Sequence, residues 1–445
     1  MTAVSNRARA IAPPPFAAVT IDRAIGIDKA ARLLLPDLER GRRIDAATLR
    51  AAMERAFGGS DADGAWNWKL AYEACEAVTV LFLRKFGPAI RARAASPAAM
   101  LPMLAKTAGL LPTHTRRSEE SQSLQQFSTP IALGLAASTA AAMTSADRVL
   151  EPSAGTGLLA IFAELSGGTL VLNELAETRA GLLGQLFPNL TVTRFDAAHI
   201  DDHLDVSIVP SVVLMNPPFS AMPHVDHRMA DATLRHVSSA LARITEGGRL
   251  VAITGASFAP DNPAWTDAFV NLQKRGRVVF STAIDGAVYA RHGTHIDTRL
   301  TVIDKRPADD PTAFPTSSSG RAPDAAALLC LVTQQVPQRL SIAAPIAAAP
   351  IARMGTLRPI RTSVMRRSFV STDTAQPEAV ELDYETVDWT PMEGARITDA
   401  LYEEYRLQSI RFAGAQAHPT KLVQSAAMAA RAGGNRHSRP IVIAT

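Results

Sequence analysis

The sequence predicts an α/β fold whose mostly parallel sheet follows a helical N-terminal region. From about residue 147, seven short apolar runs alternate with helix-compatible stretches. That alternation is typical of βαβ units, in which successive strands lie parallel. The last two runs are closer together, with Gly286 and Gly293 between them, and are expected to form a terminal antiparallel hairpin. The seven runs are RVLEPS, GTLVLNE, LTVTRFD, SVVLMNPP, GRLVAIT, GRVVFSTAI and DTRLTVIDK.

The composition is that of a globular protein. Hydrophobic residues make up 47% and charged residues 20% of the 445 positions, which excludes a disordered chain. The formal charge of +4 permits a nucleic-acid partner without indicating one. Cys75 and Cys330 lie too far apart for a disulfide framework or a cysteine zinc site, and they fit a reducing cytoplasm. No apolar run has the length of a membrane span, so we expect no membrane partner.

The N-terminal part is expected to be helical. Residues 1–20 are predicted to be a flexible leader, and apolar residues over 21–111 recur at spacings of three and four. Pro36, Gly58–Gly59 and Gly87–Pro88 are expected to separate the helices. Packing against the following domain is the favoured role of this region, and gripping the substrate is the alternative.

Three further segments complete the predicted organisation. Residues 112–306 hold the α/β domain. Residues 307–380 are a linker or unassigned, since 307–325 is rich in proline, serine and aspartate. Residues 381–445 contain a stretch that is predicted to be helical, RITDALYEEYRLQSI, with Thr398 as its N-cap candidate.

A glycine-rich turn, EPSAGTG, directly follows the first predicted strand. Gly155 and Gly157 allow a sharp turn and a close approach of backbone to ligand. The N-terminus of the next helix is expected to offer N–H groups to an anionic group such as a carboxylate. Glu151, at the strand end, is placed to hold a ligand ammonium.

Two more carboxylates follow the next two strands. Glu174 lies about 20 residues after the glycine turn, where nucleoside-binding α/β folds hold a ribose diol. Asp196 is placed to accept a hydrogen bond from an exocyclic amine of the cofactor. The alternatives are a surface carboxylate for Glu174 and a helix N-cap for Asp196.

The most informative motif is NPPF, Asn216 to Phe219, after the fourth strand. Two consecutive prolines make a rigid turn with exposed carbonyl groups. A target amine can then donate to the Asn216 side-chain oxygen and to the Pro217 carbonyl, which aims the nitrogen lone pair at an electrophilic methyl group. Phe219 supplies a flat face for stacking a base removed from its duplex.

Several histidines lie near this motif in the sequence. His224 and His227 occur in HVDHRM, with His199, His203 and His236 nearby. No third ligand has suitable spacing, so no metal site is expected. The histidines are predicted to lie on a substrate-facing loop or a solvated helix.

Taken in order, QFSTP, EPSAGTG, Glu174, Asp196 and NPPF resemble the motifs of amino-group DNA methyltransferases, especially the adenine-N6 type. The resemblance implies a Rossmann-like class I methyltransferase sheet that binds S-adenosylmethionine. The cofactor-binding residues that it implies are Phe127, Thr129, Pro130, Glu151, Pro152, Ala154, Gly155, Gly157, Glu174 and Asp196. The implied catalytic tetrapeptide is Asn216, Pro217, Pro218 and Phe219.

The same resemblance implies an enzyme that methylates an exocyclic amino nitrogen of a nucleobase, with adenine N6 in DNA as the expected target. Nucleic acid is the expected partner, DNA before RNA. Similar tetrapeptides also serve methyltransferases that act on guanine N2 in RNA or on a protein glutamine. Those two substrate classes remain alternatives.

The chain as a whole resembles bacterial strawberry-notch-type proteins, which join a methyltransferase-like domain to a superfamily 2 helicase. The segment YEEYRLQSIRFAGAQAHPTKLVQSAAMAA resembles the lead-in to that helicase, but it lacks the P-loop glycine–lysine pair. The resemblance therefore implies a truncated helicase part without ATPase activity. It also leaves a second alternative, a non-catalytic module that binds the cofactor or grips nucleic acid.

Overall fold

The computed structural model describes residues 15–114, 128–218, 232–340 and 342. These residues all lie in the first of two units, Met1–Ile342 and Ala343–Thr445. Phe127, Phe219 and the helicase-like segment lie outside the described residues. Within the described part of the chain, no helix has the length and apolar character needed to cross a membrane.

Seven of the eight strands in the described residues occur where the apolar runs predict them. Their bounds are β1 Arg148–Glu151, β2 Thr169–Asn173, β3 Val192–Thr193, β4 Val212–Met215, β5 Arg249–Gly255, β6 Arg277–Ile284, β7 Thr298–Asp304 and β8 Arg321–Ala322. They form one sheet in the order β3-β2-β1-β4-β5-β7-β6-β8. Strands β3, β2, β1, β4 and β5 pair in parallel with their neighbours, and β7 is antiparallel to both β5 and β6. The predicted Rossmann-like α/β sheet with its antiparallel hairpin is confirmed.

Both faces of this sheet are buried. Alternate side chains of each strand point to opposite faces, and each face packs into its own core. Val149 and Val212 join the core on one face, which also contains the N-terminal helices. Leu150 and Val213 join the core on the other face. Strands β1, β2 and β4 therefore carry continuous apolar runs rather than alternating ones, as the sequence shows.

The helices flank the sheet. Their bounds are α1 Pro15–Glu39, α2 Ala46–Phe57, α3 Trp68–Arg93, α4 Leu101–Leu110, α5 Ile131–Ala141, α6 Ala160–Leu165, α7 Glu177–Leu186, α8 Ile200–His203, α9 Ala232–Arg243, α10 Thr266–Gln273 and α11 Ala325–Gln335. Short 3₁₀ turns occur at 97–100, 197–199, 286–292 and 316–319. Helix α1 packs on α3 and α7, and α3 packs on α6, so the N-terminal region shares the core of the sheet. Helix α1 also begins within the predicted leader.

Two of the predicted helix breaks are wrong. Pro36 and Gly87–Pro88 lie inside α1 and α3, whereas Gly58 ends α2 in the left-handed conformation with φ of 75°. A Cβ at Gly87 would lie 2.7 Å from the Leu165 side chain, so this glycine permits the close packing of α3 on α6. Tertiary packing outweighs the local preference of these residues.

Part of the predicted linker belongs to the sheet layer. Strand β8 pairs with β6, and α11 packs on α5. Beyond α11, Arg339 forms an ion pair of 2.8 Å with Asp147, whose side chain is only 2% exposed. Proline and serine here make a 3₁₀ turn against β6 rather than a flexible connection.

A buried ion pair joins the ends of β5 and β7. The Arg249 guanidinium donates Nε to Asp304 Oδ1 at 2.6 Å and a second nitrogen to Oδ2 at 3.0 Å. It also donates to the carbonyls of Ala140 and Pro337. One fully buried side chain thus connects the hairpin, α5 and the segment after α11.

Replacing Asp304 by asparagine leaves this guanidinium buried without its counter-charge. We expect Asp304→Asn to lower the free energy of unfolding by about 3–5 kcal/mol, measured by urea denaturation. The control is Asp309→Asn, which breaks an exposed pair with Arg306 and should lower it by less than about 1 kcal/mol. Equal losses in the two variants would contradict the structural role of the buried pair.

Candidate cofactor site

The candidate site is a cavity of about 240 Å³ at the carboxyl ends of β1, β2 and β4. Parallel strands end at the same edge of the sheet, so residues distant in sequence meet there. The predicted residues that line the cavity are Thr129, Glu151, Pro152, Ala154, Gly155, Glu174, Asp196, Asn216 and Pro218. Pro130 lines a neighbouring cavity instead, and Gly157 and Pro217 do not line this one.

Glu174 fixes the shape of the glycine turn. Its Oε2 accepts the Gly155 N–H at 2.8 Å, and its Oε1 accepts the Ala176 N–H at 2.9 Å. Gly155 has a φ of +55°, which a residue with a Cβ adopts with strain. Glu174 is 7% exposed and lines the cavity, and each of its oxygens keeps a further lone pair for another donor.

Gly157 serves packing rather than ligand contact. Its φ is +89°, and a Cβ there would lie 2.7 Å from the Phe187 ring. At the start of the next helix, the Ala160 N–H lowers the pKa of the Glu151 carboxyl group against the effect of burial. Helix α6 begins three residues after Gly157 and is short.

Glu151 is a buried acid at the cavity wall. It is 2% exposed, and its Oε2 has no hydrogen-bond partner among the described residues. Burial, with the nearby charge of Glu174, raises the pKa of Glu151 well above its usual value. A ligand cation beside Oε2 would reverse that effect.

Asn173 is a residue that the sequence reasoning missed. Its fully buried amide donates to the carbonyls of Pro152 and Phe195 at 2.8 and 2.9 Å. Its Oδ1 accepts from the Phe195 N–H at 2.8 Å. It therefore ties the glycine turn to the segment after β3 that carries Asp196. Its position next to Glu174 was the available signal.

Asp196 and His236 form another part of the wall. Asp196 lines the cavity and also caps the 3₁₀ turn through the Ala198 N–H at 2.9 Å, so its N-cap alternative holds as well. The sequence predicts His236 on a substrate-facing loop or a solvated helix; it lies on helix α9, lines the cavity and is only 9% exposed. Burial lowers the pKa of His236 to about 4, against the opposite effect of Asp196. His224 and His227 lie outside the described residues.

The start of the tetrapeptide is held at the cavity edge. Asn216 Nδ2 donates to the Thr129 hydroxyl at 3.0 Å, which directs the amide oxygen away from Thr129. The Pro218 carbonyl accepts from Thr233 Oγ1 at 3.1 Å. Contacts from the segment before α5 and from α9 thus position the turn. The hydrogen bond from Asn216 to Thr129 joins the NPPF motif directly to the QFSTP motif.

The N-terminal helices also contribute to this wall, through residues that no sequence motif indicates. Glu76 of α3 accepts hydrogen bonds from Ser128 and, at 2.6 Å, from the Thr156 hydroxyl. One turn earlier, Glu73 pairs with Arg179 of α7 at 2.7 Å. The predicted packing role is observed, together with a direct contribution to the site.

The cavity is strongly acidic. Its ionisable lining comprises the carboxyl groups of Glu76, Glu151, Glu174 and Asp196, together with the Arg179 guanidinium and the His236 imidazole. Glu73 already pairs with Arg179 and, with two other carboxylates, raises its pKa against the effect of burial. The cavity therefore suits a ligand with net positive charge and disfavours phosphates.

A second cavity of about 340 Å³ adjoins the first and shares Glu76, Thr129 and Leu158 with it. It is largely apolar and includes His114, whose ring stacks on Tyr72 at 4.1 Å between centroids. His292 contacts His114 edge-on at 5.1 Å. Burial lowers the pKa of each histidine to about 4, so both are neutral near pH 7.

The sequence matches no protein-family profile and no curated protein. The structure is similar to TrmN from Thermus thermophilus over 42% of this chain and 52% of that one, with 20% identity and a TM-score of 0.31. A putative class I S-adenosylmethionine-dependent methyltransferase from Listeria monocytogenes is covered over 99% of its length and 72% of this chain, with 14% identity and a TM-score of 0.40.

The M protein of the type I restriction enzyme EcoKI is also similar, over 69% of this chain and 64% of that one, with 14% identity and a TM-score of 0.35. The chain spans about half the length of TrmN and of a putative type I restriction enzyme modification subunit from Vibrio vulnificus. At these identities and TM-scores, the likenesses carry no argument about activity or substrate.

The raised pKa of Glu151 predicts a pH-dependent stability of the ligand-free protein. The folded chain keeps the Glu151 proton to higher pH than the unfolded chain does. Stability therefore falls as pH rises above the usual glutamate pKa. Glu151→Gln removes this titration, so its melting temperature should gain on that of the wild type as pH rises from about 5 to 8. The exposed control Glu177→Gln should follow the wild type, and a pH-independent difference for Glu151→Gln would contradict the interpretation.

Proposed function

We propose that this chain is an S-adenosylmethionine-dependent methyltransferase that acts on an exocyclic amino nitrogen of a nucleobase, with adenine N6 in DNA as the target. The observation that carries the proposal is an acidic cavity at the strand ends, with Asn216 of the tetrapeptide at its edge. The cofactor is a nucleoside with a sulfonium, an ammonium and one carboxylate, so it is a net cation. Its charge therefore complements the cavity.

The residues present fit this cofactor. Glu174 would hold the ribose diol, and Asp196 and the neutral His236 would face the adenine. Glu151 would hold the ammonium through Oε2, the buried oxygen without a partner among the described residues. Thr129 would lie near the methionine part, beside Asn216.

The chain's contribution to the chemistry is alignment. When bound, S-adenosylmethionine supplies a methyl group on a sulfonium, which is a good leaving group. Asn216, with its amide turned by Thr129, would accept a hydrogen bond from the target amine through its side-chain oxygen. The Pro217 carbonyl would accept the second, so the two acceptors stabilise positive charge that grows on nitrogen. Thr233, through the Pro218 carbonyl, holds the turn in place.

The acceptor ring would approach through the second cavity, which meets the first at Thr129 and Glu76. Its apolar lining and its two neutral histidines suit a flat, uncharged heterocycle. Adenine and guanine both meet that description, and a glutamine amide is smaller and not planar over the same area. These features support a nucleobase over a protein side chain.

Calorimetry with S-adenosylmethionine tests the cofactor site. We expect micromolar binding by the wild type, and loss of binding when Glu174→Ala and Asp196→Ala are combined, because the ribose and adenine contacts disappear. The control is Asp202→Ala, an exposed acid close to Asp196, which should bind as the wild type does. A folded wild type that does not bind the cofactor would overturn the proposed function.

Methyl transfer tests the tetrapeptide. With isotope-labelled cofactor, Asn216→Ala should keep its affinity for the cofactor and lose about 100-fold or more in rate, since one transition-state acceptor is removed. DNA, RNA and protein substrates are assayed side by side. Transfer to RNA or to protein alone would replace DNA as the substrate class. Unchanged transfer in Asn216→Ala would rule out the assigned catalytic role.

Filling the second cavity tests the acceptor route. Ala108 lines this cavity from α4, and Ala108→Phe should block the acceptor ring while leaving cofactor affinity unchanged. We expect methyl transfer to fall at least about tenfold, equivalent to ~1.4 kcal/mol of transition-state binding. Ala92→Phe, at an exposed position of α3, adds the same ring away from both cavities. Equal rates for the two variants would refute the route.

A further inference from the structure

Glu76 is a buried acid whose charge is offset only at longer range among the described residues, by Arg179. Its side chain comes from α3, outside the motifs of the α/β domain, and the residue is 6% exposed. Its two oxygens accept hydrogen bonds from Ser128 and Thr156, one on each. Among the described residues, no cationic side chain lies within ion-pair distance of it. The nearest guanidinium in the cavity, that of Arg179, is paired with Glu73.

Two hydroxyl hydrogen bonds leave the negative charge of Glu76 in place. A buried carboxylate without a cation is costly, and a structure retains one where a ligand or a partner supplies the opposite charge. Glu151 and Glu174 are the other buried acids of the cavity without an ion-pair partner among the described residues. The proposed cofactor carries two cationic groups, the ammonium and the sulfonium, and buried acids of this kind can hold such charges.

The position of Glu76 decides which cation it faces. It lies on the wall that the two cavities share, next to Leu158 and Thr129. Glu76 accepts a hydrogen bond from Ser128, which precedes Thr129 in the chain. Thr129 in turn accepts a hydrogen bond from Asn216 of the tetrapeptide. The methyl group must point from the cofactor cavity toward this wall to reach the acceptor. The sulfonium that bears it would therefore lie nearer to Glu76 than the ammonium would, because Glu151 lines the first cavity outside the wall that the two cavities share.

We propose that the Glu76 carboxylate of α3 is the counter-charge of the cofactor's sulfonium, so that the site distinguishes S-adenosylmethionine from its uncharged thioether product. This inference rests on the proposed function. It assigns to the N-terminal helical region a part in recognising the reactive group and in releasing the product. Transfer of the methyl group removes the sulfonium charge, which weakens binding at Glu76 and leaves the other contacts unchanged.

The test compares three ligands by calorimetry. These are S-adenosylmethionine, S-adenosylhomocysteine and sinefungin, whose protonated amine stands in place of the sulfonium. The wild type should bind the first and third more tightly than S-adenosylhomocysteine. In Glu76→Gln that preference should fall by about tenfold, or ~1.4 kcal/mol, with affinity for S-adenosylhomocysteine little changed. Glutamine keeps a partner for both hydroxyl groups, so the variant changes mainly charge.

The control Glu164→Gln makes the same substitution in a half-exposed pair with Arg84, outside the cavity, and should leave the preference intact. Equal weakening of all three ligands in Glu76→Gln, or a preference that survives, would overturn the role of Glu76. A wild type that binds S-adenosylmethionine and sinefungin no more tightly than S-adenosylhomocysteine would also overturn it, and this outcome can be measured without any variant. A wild type that binds none of the three would instead overturn the proposed function.

Discussion

The parallel pairing of β1 with β2 and β4 is the constraint on which the candidate site depends. It brings the ends of these strands to one edge, so Glu151, Glu174 and Asn216 meet although the chain separates them widely. The register is held from both faces, since alternate strand residues enter two separate cores. A shift of one residue would turn each of these buried side chains to the wrong face.

Hydrogen bonds then convert this shared edge into a defined cavity. Asn173 joins the glycine turn to the segment after β3. Glu174 holds the same turn by accepting the Gly155 N–H. Thr129 and Thr233 hold the tetrapeptide from two other elements. Most residues that would contact a ligand are thus also held in place by a hydrogen bond to another part of the protein. Such support is what keeps a site in one geometry before its ligand arrives.

The sequence was sufficient to predict what depends on local pattern. Seven apolar runs gave seven strands, and acids at strand ends such as Glu174 line the cavity because strand ends converge in any parallel sheet. It was insufficient where long-range packing decides. Pro36 lies within a helix, β8 belongs to a segment with linker composition, and Gly157 faces Phe187 rather than the cavity. Glu76 could not be predicted, because its contact with Thr156 joins residues 80 positions apart.

The unpaired acids of the cavity also relate stability to function. Burial raises the pKa of Glu151, and a charged group without a partner destabilises the folded chain relative to the unfolded one. A hydrophobic residue in place of Glu76 or Glu151 would stabilise the ligand-free protein and remove the complementarity of the cavity to a cation. The loss is recovered when a cation binds, because a ligand that binds only the folded state at 100 times its Kd adds about 2.7 kcal/mol of stability. The acids are therefore explained by the ligand-bound state rather than by the ligand-free fold.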